Sequence, residues 1–570
     1  MFSLLSSSSV VSRRWSTIWR LLKSGDLKQF FTRTLKFFRQ ANSHTNLDYF
    51  QWRKTWVELK QVERLQLARI GDSLDSQPYF TLLLDEDQTD PNSLLPTIES
   101  VISQIYPNWV LHILSSDNSN IEFVEKISSI SDGRVKFADS FTIPDGTWVV
   151  ELNHDMMLHE AALLVSAVSI SENPEITIVY SDHEHLDNSG NFCDPHMKPD
   201  WNPDLLASMN YMGPFIAYRS ELWKSHRRKG IEQHGFLLET TKGLKNEQIF
   251  HIPHILVSVK IHDRESHLHP KVRRVHYEIP SPAPLVSILI PTRDQGQMLE
   301  RCLKSIFDMT DYTNFEIVLV DHETKQSKAQ KIISAFNENA NFHVINFSGL
   351  FNFASMINRA AEIANGQILV LLNNDTEVIE ASWLTELVSQ VSRPEVGIVG
   401  PLLLFEDATI QHAGVHPGVG GLMGHGHKHL PGDSAGYFNR LKTVHEVAAV
   451  TGACLASEKA LWNEVGGLDE DNLAVAYNDI DICLKVREKG LRVLFTPFSK
   501  LKHHESVSRG VDDDPVRNPR LEKEISVMTR RWGNFLESDP AYNPNLSFDG
   551  GGFKLENFPR KLPIWKQIDY

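Results

Sequence analysis

Ile368-Leu369-Val370-Leu371-Leu372-Asn373-Asn374-Asp375-Thr376 is a run of apolar residues that stops abruptly at amide and carboxylate groups. An uninterrupted apolar run of this kind reads as a strand buried on both faces, as inside a parallel sheet. Ligands of open α/β sheets sit beyond the carboxyl ends of the strands, so Asn373 and Asp375 are expected to project toward one. Asp375 is the first candidate for a metal ligand; the alternative is that it only caps the next helix.

Working outward, the same texture recurs. Val286 to Ile290 reads as a buried strand and Pro291-Thr292-Arg293-Asp294 as the turn after it. A helix is expected from about Gln297 to Phe307, then a strand from Phe315 to Val320 that ends at Asp321. Further strands are expected at Phe342 to Asn346, Gly397 to Val399 and Leu491 to Phe495. Strands alternating with helices predict an α/β, Rossmann-like unit with a mostly parallel sheet.

The earlier half of the chain carries a second copy of this order. Pro107-Asn108-Trp109 corresponds to Thr313-Asn314-Phe315, Asn153-His154-Asp155 to Asn373-Asn374-Asp375, and Gly213-Pro214-Phe215 to Gly452-Ala453-Cys454. Conserved order across three such segments predicts an internal duplication. Pro280, Pro282 and Pro284 stiffen the connection between the copies and keep it out of a sheet interior. The expected division is a helical segment at 1–75, a first α/β domain at 76–265, a linker at 266–284, a second α/β domain at 285–535 and a tail at 536–570.

Composition narrows the function. At 570 residues the chain exceeds one hydrophobic core, and its net charge of −15 argues against nucleic acid as the main partner. Its four cysteines, Cys193, Cys302, Cys454 and Cys483, form no CxxC pair, which favours a reducing compartment over a disulfide framework. No apolar run approaches the length of a bilayer span, and the serine-rich start lacks the pattern of a signal peptide. A cytoplasmic location is expected. Residues 11–40 are basic within this acidic chain, and Trp15, Ile18, Trp19 and Leu22 recur at helical spacing, followed by Leu27, Phe30, Phe31, Leu35 and Phe38. Aromatic residues on one face and cations on the other suit a helix lying on an anionic membrane surface, such as the inner face of the cytoplasmic membrane. The alternative is a helix pair packed on the protein's own body.

The second half resembles the family 2 glycosyltransferases over about residues 285–535. The resemblance rests on Pro291-Thr292-Arg293-Asp294, Val318-Leu319-Val320-Asp321, the run ending at Asp375, Thr451-Gly452-Ala453-Cys454, Gly466-Gly467-Leu468-Asp469, Asn478-Asp479-Ile480-Asp481 and Lys502-His503-His504-Glu505-Ser506, in that order. It implies an A-type glycosyltransferase fold, a nucleotide-sugar donor and inverting transfer to a glycan or lipid-linked acceptor. A divalent cation, Mg2+ or Mn2+, would offset the charge of the departing diphosphate. Asp375 would be its main ligand, helped by one of His503 and His504. Asn373 stands where the family usually has the first Asp of Asp-x-Asp, and it offers an amide oxygen without charge. Pro291, Thr292, Arg293, Asp321, Asn373 and Asn374 would line the nucleotide-sugar site, with Arg509 in a basic loop that closes over phosphate.

Inverting transfer needs a carboxylate to take the acceptor's proton. By resemblance this base is Asp479, with Asp481 as the alternative; helix capping is the plain structural role for both. His425-Gly426-His427-Lys428-His429 lacks a fixed metal-ligand frame and reads as a loop near the acceptor, with Tyr437, Asn439 and Arg440 as neighbours. The first copy keeps Asp155 but shows no Asn-Asp-x-Asp helix, and is expected to be degenerate, serving as scaffold or glycan binder. The competing expectations are two active halves, a non-catalytic carbohydrate-binding protein, and nucleotidyl transfer, for which a phosphate-binding Gly-rich loop is missing.

Overall fold

The computed structural model describes residues 48–85, 91–114, 133–138, 141–228, 230–261, 271–419, 421–504 and 519–567. The basic stretch at 11–40 and Arg509 lie outside the described residues. Two helices come first, α1 (Tyr49–Trp56), capped by the Asp48 carboxylate on the Gln51 amide at 2.8 Å, and α2 (Gln61–Asp72).

The first sheet is built from β1 (Phe80–Asp85), β2 (Trp109–Leu114), β3 (Val135–Ala138), β4 (Trp148–Leu152), β5 (Met156–Leu158), β6 (Ile178–Leu186), β7 (Phe192–His196), β8 (Ile216–Arg219) and β9 (Ile249–Lys260). Between β8 and β9 lies helix α3 (Gln233–Thr240). The second sheet contains β10 (Val286–Thr292), β11 (Phe315–His322), β12 (Phe342–Phe347), β13 (Ile368–Leu372), β14 (Thr376–Val378), β15 (Val396–Leu404) and β16 (Ile410–His412). After a small hairpin of β17 (Val415–Pro417) and β18 (Met423–His425), it is completed by β19 (His445–Glu446), β20 (Cys454–Glu458) and β21 (Arg492–His503).

The strand orders are β3-β2-β1-β4-β8-β6-β9-β5 and β12-β11-β10-β13-β20-β15-β21-β14. Position for position, one topology is used twice, which is the tandem α/β fold the sequence predicts. The opening run is β13, with all five residues buried, and β10 beside it is buried throughout. Helix α4 (Gly296–Met309) packs Leu299, Cys302, Leu303 and Ile306, spaced as one helix face, onto the sheet. Each such apolar side chain contributes about 1.5–3 kcal/mol.

Two features differ from expectation. The sheets are mixed: β10 to β13 are parallel, whereas β20 runs antiparallel to both β13 and β15. Residues 405–453 leave the end of β15 and return through Thr451-Gly452-Ala453 at the functional rim, so β20 starts where its neighbours end. Strand β21 also continues past Pro497 to His503, because its pairing with β15 shifts register between Pro401 and Leu402 and then resumes. His503 therefore belongs to a strand, paired with Thr376 of β14.

The units are joined by buried polar contacts. Asp204 of the first unit receives Arg393 at 2.6 Å and Arg492 at 3.0 Å from the second. Residues 538–567, expected as a tail, lie against the first unit: Asn543 donates to Asp182 at 2.9 Å, and Trp565 enters the first core while donating to the Trp56 carbonyl at 3.0 Å. The His425–His429 loop is packed inward, with His427 stacked on Phe553 and accepting from the Tyr437 amide at 3.2 Å. No helix among the described residues is long and apolar enough to cross a membrane.

Candidate active site

The carboxyl ends of β10, β11 and β13 put the nucleotide candidates side by side. Thr292 is in register with Asp321 on the adjacent parallel strand, one step beyond Pro291. Asn374 donates to the Thr292 hydroxyl at 2.9 Å, tying the turn after β13 to the end of β10. Asp321 accepts from the Thr324 amide at 3.0 Å, and Arg293, next to Thr292 in sequence, is exposed. Asp294 adopts a left-handed φ of 55°, and its carboxylate accepts the Lys325 and Gln326 amides at 2.7 Å each. Those two amides hold its pKa below the ordinary carboxylate value and bind the β10 turn to the loop after β11.

Asp375 is buried, and its Oδ1 has no hydrogen-bond donor, yet it faces the His503 Nε2 at 3.1 Å. Gln411 explains the imidazole's orientation. Its Nε2 donates to the His503 carbonyl at 3.3 Å, which leaves its Oε1 to accept from His503 Nδ1 at 2.7 Å. With Nδ1 used as a donor, Nε2 presents a lone pair toward the Asp375 oxygen. The Asn373 side-chain amide lies 3.3 Å from the same nitrogen. Two facing lone pairs, with the histidine oriented by a second residue, are a donor set suited to a divalent cation. Among the described residues no three His, Cys, Asp or Glu side chains converge on one metal position. The chain would thus supply two ligands and leave the others to water and phosphate, as Mg2+ and Mn2+ sites commonly do.

His504 points elsewhere. Its Nε2 lies 3.0 Å from Glu377 and 3.2 Å from the Arg301 guanidinium, while its backbone amide donates to the Asp375 carbonyl at 2.9 Å. Alternation along the strand separates the two imidazoles, so His503 alone meets Asp375.

The Asn373 amide donates to the Ala453 carbonyl at 3.0 Å, and the neighbouring Gly452 amide donates to Asp479 Oδ2 at 2.7 Å. The metal candidates and Asp479 therefore share one rim through two consecutive residues of the β20 entry. Asp479 is in the first turn of α5 (Asn478–Glu488), and its Oδ1 accepts from the Ile480 amide at 2.9 Å. Burial raises its pKa, opposed by the Gly452 and Ile480 amides. A Cβ added at Gly452 would lie 3.2 Å from Asp479 Cβ, so the glycine permits this close approach. Asp481, two residues on, faces away: Arg531 reaches its Oδ1 at 2.6 Å and the Trp532 indole at 2.9 Å. A groove lined by Leu484, Arg487, Arg492, Arg531 and Trp532 lies at the far end of α5 from Asp479, and Arg487, Arg492 and Arg531 are already paired with carboxylates.

The same register locates what the first unit holds at these places. The Asp155 carbonyl accepts from the Lys260 amide at 2.8 Å, as that of Asp375 does from His504, and Met156 pairs with Val259 as Thr376 does with His503. Valine thus replaces the histidine. A Cβ on Gly213, the counterpart of Gly452, would lie 2.7 Å from Gln233 Oε1, so an amide stands where Asp479 does.

Residues 287–444 match the glycosyl transferase family 2. Over this segment, from β10 to the residue before β19, the chain is similar to glycosyl transferase family 2. Two curated relatives extend beyond the family 2 domain. An uncharacterised protein of Sinorhizobium fredii is 33% identical, over 88% of this chain and 61% of its own length. The O-antigen biosynthesis protein RfbC of Myxococcus xanthus is 28% identical, over 88% of this chain and 43% of its own length. The chain therefore spans roughly half the length of these relatives. A solved mannosyltransferase of Pyrobaculum calidifontis, in complex with GDP-Man and Mn2+, aligns with 46% of this chain and 73% of its own at 17% identity and a TM-score of 0.34.

Gln411 is the site contributor that sequence reasoning missed; the turn at Asp294 and the segment at Gly452 were named there, but not what the Asp294 carboxylate and the Gly452 amide bind. Gln411 carries no local signal, because its partner His503 is 92 residues away.

Proposed function

We propose that this protein is a metal-dependent, inverting glycosyltransferase that moves a sugar from a nucleotide-sugar donor to a glycan or lipid-linked acceptor, with its one active centre in the second unit. The observation that supports this most is the placement of Asp375, His503 and Asp479 on one rim, linked through Ala453 and Gly452. The base of the nucleotide lies against the Thr292–Asp321 edge, with Pro291, Arg293, Asn373 and Asn374 around the sugar diphosphate. Asp375 and His503 would hold Mg2+ or Mn2+, which when bound would supply positive charge to the diphosphate.

Asp479 accepts the acceptor's hydroxyl proton as that oxygen bonds to the anomeric carbon. The bond from this carbon to the phosphate oxygen breaks on the opposite face, and the nucleoside diphosphate departs with the electron pair. Burial suits Asp479 to this, because a raised pKa makes a carboxylate a stronger base. The first unit has Val259 and Gln233 at the corresponding places, and neither an alkyl group nor an amide replaces a ligand or a base.

The O-antigen relative favours a role in surface-polysaccharide synthesis, with hexosyl or rhamnosyl donors as the class to test. The protein would work in the cytoplasm, on the inner face of the membrane through residues 11–40. Incubation with UDP-glucose, UDP-galactose, GDP-mannose and dTDP-rhamnose, with and without Mn2+, tests the reading. Nucleoside diphosphate released from one donor only with metal is expected; no release from any donor of a broad panel, with or without acceptor extracts, would favour a carbohydrate-binding protein instead.

A further inference from the structure

Asp481 is fully buried, and a buried carboxylate is costly unless it is paired and hydrogen-bonded. Arg531 Nη1 at 2.6 Å and Trp532 Nε1 at 2.9 Å donate to its Oδ1, and Lys485 Nζ lies 3.0 Å from Oδ2. The first two partners come from helix α6 (Pro519–Glu537), whose Val527, Met528 and Trp532 belong to the same buried apolar cluster as Ile480 and Leu484 of α5. The other arm of the same guanidinium, Nη2, donates to Asp469 at 2.7 Å.

Asp469 opens the loop that enters α5. Its carbonyl accepts from Leu473, and Asn478 donates back to the Leu473 and Val475 carbonyls at 3.1 Å each. Helix α6 meets this loop at a third place, where Glu524 accepts from the Val475 amide at 2.9 Å. The loop ends at Tyr477 with a φ of 63°, a left-handed conformation that a tyrosine keeps only when its surroundings impose it. Arg531 thus spans both ends of the segment that delivers Asp479, and Glu524 holds its middle. A guanidinium fork suits this bridge because it offers separate N–H groups to two carboxylates in a fixed plane.

Asp479 and Asp481 are two residues apart on one helix and so lie on different sides of it. We propose that Arg531 and Trp532, acting through Asp481, are positioning residues that fix the first turn of α5 and hold Asp479 against the Gly452 amide. This rests on the reading of Asp479 as the base. It gives the second carboxylate of Asn478-Asp479-Ile480-Asp481 a task distinct from proton transfer, and it makes α6 a part of the active centre that touches no substrate.

Trp532→Phe, which keeps the ring and removes the N–H, and Arg531→Lys, which keeps one cation and removes the fork, test this in the full chain. The assay is nucleoside diphosphate release from whichever of the four sugar nucleotides above is turned over, with Asp479→Asn measured alongside. Both variants are expected to lose about tenfold or more in kcat with donor KM within about twofold, as for a displaced catalytic group. Trp532→Phe added to Asp479→Asn should lower the residual rate no further. Should either α6 variant fail to fold, Asp481→Asn retains the volume and an acceptor for the indole and should show the same kcat loss. A kcat within twofold of the parent in the folded variants, with Asp479→Asn inactive, overturns this inference alone. Undiminished turnover in Asp479→Asn overturns the base assignment and this inference with it.

Discussion

Asp375→Asn is expected to make the metal-free protein more stable while abolishing its response to metal. The Asp375 Oδ1 is buried without a donor, and it faces the His503 Nε2 at 3.1 Å. An amide in its place turns this contact into an N–H···N hydrogen bond. The unsatisfied buried oxygen costs about 1–3 kcal/mol and the new hydrogen bond is what removes that cost, so a gain of about 1–2 kcal/mol is expected. Metal at a hundred times its dissociation constant stabilises the parent by about 2.7 kcal/mol, and a hundredfold loss of affinity leaves about 0.4 kcal/mol. Urea unfolding followed by tryptophan fluorescence, with and without Mn2+, measures both quantities. A metal-free variant weaker than the parent, as loss of an aspartate–imidazolium ion pair would give, together with a retained Mn2+ shift, would refute the assignment.

Other consequences are independent of that one. Asp479→Asn should reduce transfer by about 10²–10⁴-fold while calorimetry finds donor binding unchanged. Because burial raises the pKa of Asp479 and only the ionised form accepts a proton, kcat of the parent should fall with decreasing pH through a limb above the ordinary carboxylate range; the folded state's preference for the neutral form means that this group's contribution to stability falls as pH rises through the same window. Asp204→Ala leaves Arg393 and Arg492 with only the half-exposed Glu395 between them and should cost about 1–3 kcal/mol, visible as an earlier urea midpoint and faster proteolysis between the units. The full chain should float with vesicles containing anionic phosphatidylglycerol and be released by high salt, and glutamate in place of Arg13, Arg14, Arg20 and Lys23 should abolish flotation.

The fold was legible where burial on both faces leaves an unbroken apolar run. β10 and β13 are such segments, and the repeated junction at Asn153-His154-Asp155 showed the duplication. The antiparallel course of β20 was not, because strand direction depends on where residues 405–453 re-enter the sheet and not on the composition of Cys454 to Glu458. Nor was the length of β21: Pro497 reads as a terminator, and only the shifted pairing with β15 lets the strand resume toward His503. For the site, residue types at strand ends named Asp375 and Asp321, and the family resemblance named Asp479 at the start of a helix. Choosing between His503 and His504, or between Asp479 and Asp481, needed the partners Gln411, Glu377, Arg531 and Trp532, which are remote in sequence.

The duplication also shows how the rims of two copies can differ while the frame is kept. Val150 and Val370 both pair with an alanine of the neighbouring antiparallel strand, Ala217 and Ala456, so the two sheets share strand order and register at this point. Asp155, Val259 and Gln233 lie at the rim of that frame, where a substitution changes what is bound without disturbing what is packed. The first rim then acquires different obligations: Asp182, at the register shift of β6, is bonded by Asn543 and His251, and the Lys198 ammonium is spent on the carbonyls of Met212 and Gly213, the place from which Gly452 serves Asp479 in the second unit. Restoring histidine at Val259 and aspartate at Gln233 would therefore put both groups into a rim whose Asp182 and Lys198 are already committed to the packing of the first unit. If the first unit is inactive, as proposed above, its packing on this reasoning holds it so, and two reversions should not give a second active centre.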